Sequence, residues 1–179
     1  MDAAVHPTQF KPAESLTEQI ARHLGDQIIS GELRSGERIQ ELKVARSLGV
    51  SRGSVREALL ILESRHLIDN VPRRGALVTE LSLESCRELV DICNRLKLML
   101  FEHLIRNVRD GDLETLDTVL EDATELGERT PDDVLELRER FLRGVMDLSG
   151  SIYLNGSLSA LLPSLDRVAF PVLSTPQGR

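Results

Sequence analysis

Apolar residues fall at helical spacing from near the start of the chain. Leu16, Ile20, Leu24 and Ile28 stand four apart, which predicts a helix that Ser15 or Thr17 can cap. The stretch "SGELRSGERI" then supplies two glycines and a turn. A second helix is predicted from about Gln40 to Leu48, with Leu42, Ala45 and Leu48 facing inward and Gly49 ending it. "LGVSRGSVREALLILESRHLI" reads as a tight turn running into a third helix, capped by Ser51, with Val55, Leu59 and Leu62 on one face. After His66 the period changes. "LIDNV" and "ALVTEL", joined by the basic "PRRG", predict two short strands and a turn. In that order the elements make a winged helix-turn-helix.

Beyond Ser82 the pattern is helical. Ser82 or Ser85 can cap a long helix with an apolar stripe at Leu89, Val90, Cys93, Leu96, Leu100 and Leu104. "RDGD" breaks it, and a helix is predicted at about 112–128. Thr130, Pro131 and the acids after them open another, running through Leu148. "SGSIYLNGS" interrupts, and a last short helix is expected to end near Arg167, because the closing "FPVLSTPQGR" carries two prolines and no period. Three segments follow: an arm over 1–14, a winged helix-turn-helix over 15–80 and a helical domain over 81–179.

Charge sharpens this division. The chain carries a net charge of -7, which by itself speaks against a nucleic-acid partner. The deficit, however, lies wholly in residues 81–179. Residues 43–74 hold Lys43, Arg46, Arg52, Arg56, Arg65, Arg73 and Arg74 against only Glu57, Glu63 and Asp69. A local positive field inside an acidic protein suits a phosphate-contacting module. The first fifteen residues contain Asp2, His6 and Pro7 and no apolar run, so no signal peptide is expected. Apolar runs are too short to span a membrane. Cys86 and Cys93, two helical turns apart, are too distant for a local disulfide, which fits a cytoplasmic protein.

A helix N-terminus presents unpaired N–H groups and partial positive charge to an anion. Ser51 and Ser54 add hydroxyls there, and Gly53 lets the backbone approach a sugar–phosphate surface. Arg52 and Arg56, four apart, share the exposed face, and a guanidinium fork matches the O6 and N7 edge of guanine. Arg73 and Arg74 sit at the ribbon tip, suited to a minor-groove or phosphate contact.

The segment "GELRSGERIQELKVARSLGVSRGSVREALLILESRHLIDNVPRRGALV" closely resembles the DNA-binding domain of the GntR superfamily of bacterial transcription regulators. The resemblance implies DNA contacts at Ser51, Arg52, Ser54, Arg56, Arg74 and Gly75, with Lys43 and Arg46 as phosphate partners. Two positions depart from the pattern: Gly53 stands where threonine is frequent, and His66 where a glycine usually ends the recognition helix. The remainder resembles the FadR-like (FCD) effector domain. The implied fold is mostly α, a winged helix-turn-helix followed by an all-helical antiparallel bundle that dimerises and binds a small acid, often through a metal. Aligning Phe141 and the break at Ser149–Gly150–Ser151 puts Arg138 and Leu142 at the family's Asp and His ligand positions. A cation and a leucine cannot hold a metal, so no metal or other cofactor is expected. Leu142 would make an effector pocket more apolar. Arg138 either neutralises an effector's carboxylate or lies at the surface. A domain that only dimerises is equally consistent.

The sequence therefore predicts a homodimeric repressor that reads a short inverted repeat in double-stranded DNA and answers, if at all, to a small-molecule effector of unidentified chemistry. The alternative is a shortened regulator that heterodimerises with a full-length relative. No catalytic constellation has workable spacing, so an enzyme is not expected. Cys86 and Cys93 read either as a redox pair at a subunit face or as small core fillers.

Overall fold

The computed structural model describes residues 14–109 and 130–175, together with 113, 114, 116, 117, 120 and 121 between them. The expected arm at 1–14 and helix at 112–128 fall largely outside the described residues. Helix α1 (Leu16–Ile29) opens on Ser15, whose hydroxyl accepts from the Glu18 N–H while the Glu18 carboxylate accepts from the Ser15 backbone. Ile20, Leu24 and Ile28 are buried as their spacing requires, with Ala21 and Gly25 filling the same face.

Helix α2 (Glu41–Leu48) ends at Gly49, whose left-handed φ of 67° a glycine adopts without strain. Its inward face differs from the expected one. Ala45 is buried with Val44 and Leu48 beside it, and Leu42 is 45% exposed. On an eight-residue helix, contact with a neighbour covers one narrow arc. That arc is rotated toward Val44, which leaves Leu42 off its far edge.

Helix α3 (Arg52–Ser64) buries Val55, Ala58, Leu59 and Leu62 against α1 and α2. Just past its end, His66 takes a left-handed φ of 57° in the glycine-like place. Strands β1 (Ile68–Val71) and β2 (Gly75–Val78) pair antiparallel, with Ile68 opposite Val78 and Val71 opposite Gly75. Both are shorter than the stretches the alternation marked, although the Thr79 N–H still donates to the Leu67 carbonyl at 3.1 Å, one step beyond the paired residues. The other edge of β2 is also occupied: Ile39 donates to Ala76 O, and Val78 donates to Glu37 O. The first apolar core runs through this unit from Ile20 to Val78.

Helix α4 (Leu83–Asn107) is capped by Ser82, which accepts from the Ser85 N–H at 3.1 Å. Helix α5 (Pro131–Ser149) starts in a capping box of Thr130 and Asp133, with Pro131 in the first turn, and stops at Gly150. Helix α6 (Ile152–Leu173) corrects the sequence reading at both ends. The break covers only Gly150 and Ser151, and the helix runs through Gly156, Pro163 and Pro171, well past Arg167. Each proline removes one N–H and disturbs one turn. Leu154, Leu158, Leu162 and Leu165 are buried against α4 and α5, and that packing outweighs the local loss. Cys93, Leu100, Leu142, Val145 and Leu158 form the centre of this second core.

The two cores are joined by polar contacts from α6. The Ser164 hydroxyl donates to the carbonyls of Arg65 and His66, at 3.0 and 3.2 Å. Arg167 donates through Nη1 to the Thr79 carbonyl and through Nη2 to the Ser35 hydroxyl, both at 2.7 Å. Both side chains are buried.

Candidate nucleic-acid interface

The N-terminus of α3 is built by its cap. Ser51 Oγ accepts from the Ser54 N–H at 3.0 Å and shares a hydrogen bond with Ser54 Oγ at 2.9 Å. The two predicted hydroxyls are thus together, each already engaged with the other. Gly53 follows in an open position. A Cβ there would meet only Ser51 Oγ, at 3.5 Å, so the fold does not require glycine at this site.

Arg52 and Arg56 project from the same face, with side chains 58% and 65% exposed. Neither is free. Arg56 donates through Nε and Nη2 to the two carboxylate oxygens of Glu41, at 3.3 and 3.0 Å, and Arg52 Nη2 donates to Glu41 Oε2 at 3.2 Å. These donated hydrogen bonds, Arg56's foremost, hold the Glu41 carboxyl below its ordinary pKa. The same bonds raise that of Arg56. Glu41 escaped the sequence reading because an acid in the first turn of a helix usually serves only the helix dipole. Its partners lie 11 and 15 residues away, on another element.

Lys43 and Arg46 are exposed on α2, the helix that carries Glu41. At the ribbon tip, Arg73 and Arg74 are exposed, and the Arg74 N–H closes the turn onto the Val71 carbonyl at 3.0 Å. Gly75 has φ of 83°, which only glycine adopts readily, and the Arg38 guanidinium lies beside it. Arg38 is a further cation at the wing that the sequence reading missed, because the pairing of 36–39 with β2 has no local signature.

The proposed effector residues lie elsewhere. Leu142 is buried in the core of the helical bundle. Arg138 is not a surface arginine: it is half-buried and paired with Asp166 of α6, and its Nε is buried without a hydrogen-bond partner. Burial lowers its pKa, with Glu139 and Cys93 opposing that effect. Among the described residues, no three His, Cys, Asp or Glu side chains converge as a metal site would need. Also among them, no helix is long and apolar enough to cross a membrane.

A three-helix unit with a two-stranded wing and a serine-capped exposed helix is a winged helix-turn-helix, a fold that many DNA-binding proteins use. Residues 16–78 match the family described as bacterial regulatory proteins, gntR family. Over these residues the chain carries a GntR-family domain, and its likeness to solved GntR regulators extends into the helical remainder. It is 29% identical over 142 residues to the HTH-type transcriptional regulator YdhC of Bacillus subtilis, covering 78% of this chain and 63% of that protein. It is 32% identical over 117 residues to the gluconate operon transcriptional repressor of the same organism, covering 65% of this chain and 48% of the repressor. The chain thus spans about half to two thirds of the length of these relatives. The solved structure of Escherichia coli McbR/YncC superposes with a TM-score of 0.66 at 28% identity, covering 89% of this chain and 74% of that one. The family and these relatives are regulatory proteins, not enzymes.

Proposed function

We propose that this chain is a sequence-specific transcription regulator, a homodimeric repressor whose paired recognition helices read a short inverted repeat. The observation that carries this reading is the exposed N-terminus of α3, where Ser51 caps the helix and Arg52 and Arg56 project side by side. Around it, Lys43 and Arg46 on α2 and Arg73, Arg74 and Gly75 on the wing take the sugar–phosphate backbone. Phosphate contacts set affinity and register, and the α3 arginines set sequence preference. The names of relatives that are repressors, among them the gluconate operon repressor, favour repression as the sign.

Dimerisation is supported by apolar surface on the bundle. Leu98 and Ile105, seven residues apart on the side of α4 away from its core stripe, are 62% and 75% exposed. Ile152 and Tyr153 at the start of α6 are more exposed still. Apolar surface of this kind supports an interaction site. A two-fold dimer places its recognition helices about 34–36 Å apart, one turn of DNA, or a multiple of that distance.

The test is a footprint of the purified chain on DNA upstream of its own gene at physiological salt. A protected inverted repeat is expected. An absence of protection by folded protein overturns autonomous binding and leaves the heterodimerising modulator as the reading to pursue.

A further inference from the structure

The notable feature of the α3 face is a carboxylate at its centre. A negative charge beside a surface meant for phosphates weakens attraction to any DNA, so its presence there calls for a reason. We propose that Glu41 is a positioning residue for sequence recognition, which buttresses Arg52 and Arg56 in one fixed array and suppresses binding to unrelated DNA. This inference rests on the DNA-binding reading above.

The geometry gives the role its form. Glu41 is held on α2 with its side chain only 27% exposed, so the carboxylate is itself anchored. It grips Arg56 along the Nε–Nη2 edge with both oxygens. That leaves Nη1 and the second hydrogen of Nη2, the end of the fork, pointing away from the buttress. The end of the fork is one edge that can meet O6 and N7 of guanine together. Arg52 is held through Nη2 alone, which leaves its Nε and Nη1 donors to be aimed. Two guanidiniums one helical turn apart otherwise repel and splay. A single carboxylate shared between them cancels part of that repulsion and removes rotamers that binding would have to freeze. The charge arithmetic acts in the same direction. Two cations and one anion present a net of one positive charge to a random duplex, so the pair is attracted to phosphate less than two free arginines are. A guanine edge in the correct place still receives the full fork. Discrimination rises while indiscriminate affinity falls.

The experiment uses the full chain and two duplexes: one that the wild-type chain enriches from a randomised pool, and a scrambled version of equal length and composition. For Glu41→Gln, which keeps the size and removes the charge, binding to the scrambled duplex is expected to tighten and its salt slope to steepen by about one. The ratio between enriched and scrambled affinity is expected to fall about tenfold. Glu41→Asp keeps the charge and shortens the reach. It is expected to retain weak scrambled binding and still lose discrimination. In an Arg52→Ala/Arg56→Ala background, Glu41→Gln should change the ratio no further. The inference is overturned if Glu41→Gln leaves both ratio and slope unaltered, or if it costs the same discrimination without the two arginines. If the wild-type chain enriches no duplex at all, it is the DNA-binding reading that fails.

Discussion

At the scale of single residues, the α3 terminus separates affinity from specificity in a testable way. Arg52→Ala is expected to cost about 1–3 kcal/mol on the cognate site and to relax preference at one base pair, measured by binding to a panel of single-base variants. On the proposed reading, in which the wing arginine meets phosphate, Arg74→Ala is expected to weaken all duplexes alike and to reduce the salt slope by about one. Gly53 offers a sharper case. The space around it is open, so Gly53→Ala is expected to raise stability by up to about 1 kcal/mol in thermal unfolding, as for other exposed helical glycines. If the missing side chain serves close approach of backbone to DNA, the same variant binds more weakly. The Ser51 cap and the shared exposed face of Arg52 and Arg56 were legible from sequence, since a cap and an i,i+4 pair are local. Glu41 and Arg38 were not, because each matters only through contacts made across elements. Of the two alternatives for Arg138, the surface one fails for a related reason: the Asp166 that pairs with it lies on a helix whose packing no local pattern encodes.

At the scale of elements, legibility followed the strength of the period. Helix α1, with its capping box and four-residue spacing, and α3, with its serine cap, appear where the sequence puts them. On the short α2 the apolar spacing was right in kind but off by one face, and Leu42 fell outside the contact arc. Helix α6 was cut short at its end because Pro171, in the closing stretch without a period, was read as a terminator. Proline preference is a local rule, and a helix buried against two others can override it. The cysteines of α4 divide in the same way. Cys93 is fully buried in the bundle, and burial pushes its thiol pKa up, so it stays protonated and unreactive through neutral pH. Cys86, seven residues earlier, lines an open cleft of about 450 Å³ between the end of α1, the turn after it and α6. A thiol reagent is therefore expected to modify native protein once, at Cys86, and to reach Cys93 only after denaturation, as intact mass would report. Two rapid modifications under native conditions would contradict the burial of Cys93.

At the scale of the whole molecule, the division into a DNA-binding unit and a helical domain was visible in the change of pattern near Ser82, but the manner of their joining was not. Arg167 lies in a stretch that reads as the frayed end of a helix. In the fold it reaches from α6 to the Thr79 carbonyl at the end of the wing and to Ser35 before it, while Ser164 holds the last carbonyls of the recognition helix. Burial lowers the Arg167 pKa, yet an arginine keeps its charge, so these are charge-assisted hydrogen bonds. Their consequence is for how the molecule comes apart. A winged helix-turn-helix of this size has a modest core and by itself would open often. Tied at both the end of α3 and the end of β2, it shares its fate with the bundle, and the two cores should melt as one cooperative unit. Calorimetry is expected to show a single transition for the native chain. For Arg167→Ala, two transitions are expected, with the wing's amide protons exchanging at the rate of the less stable half. The residue that looks like a loose end is then what makes one folding unit out of two.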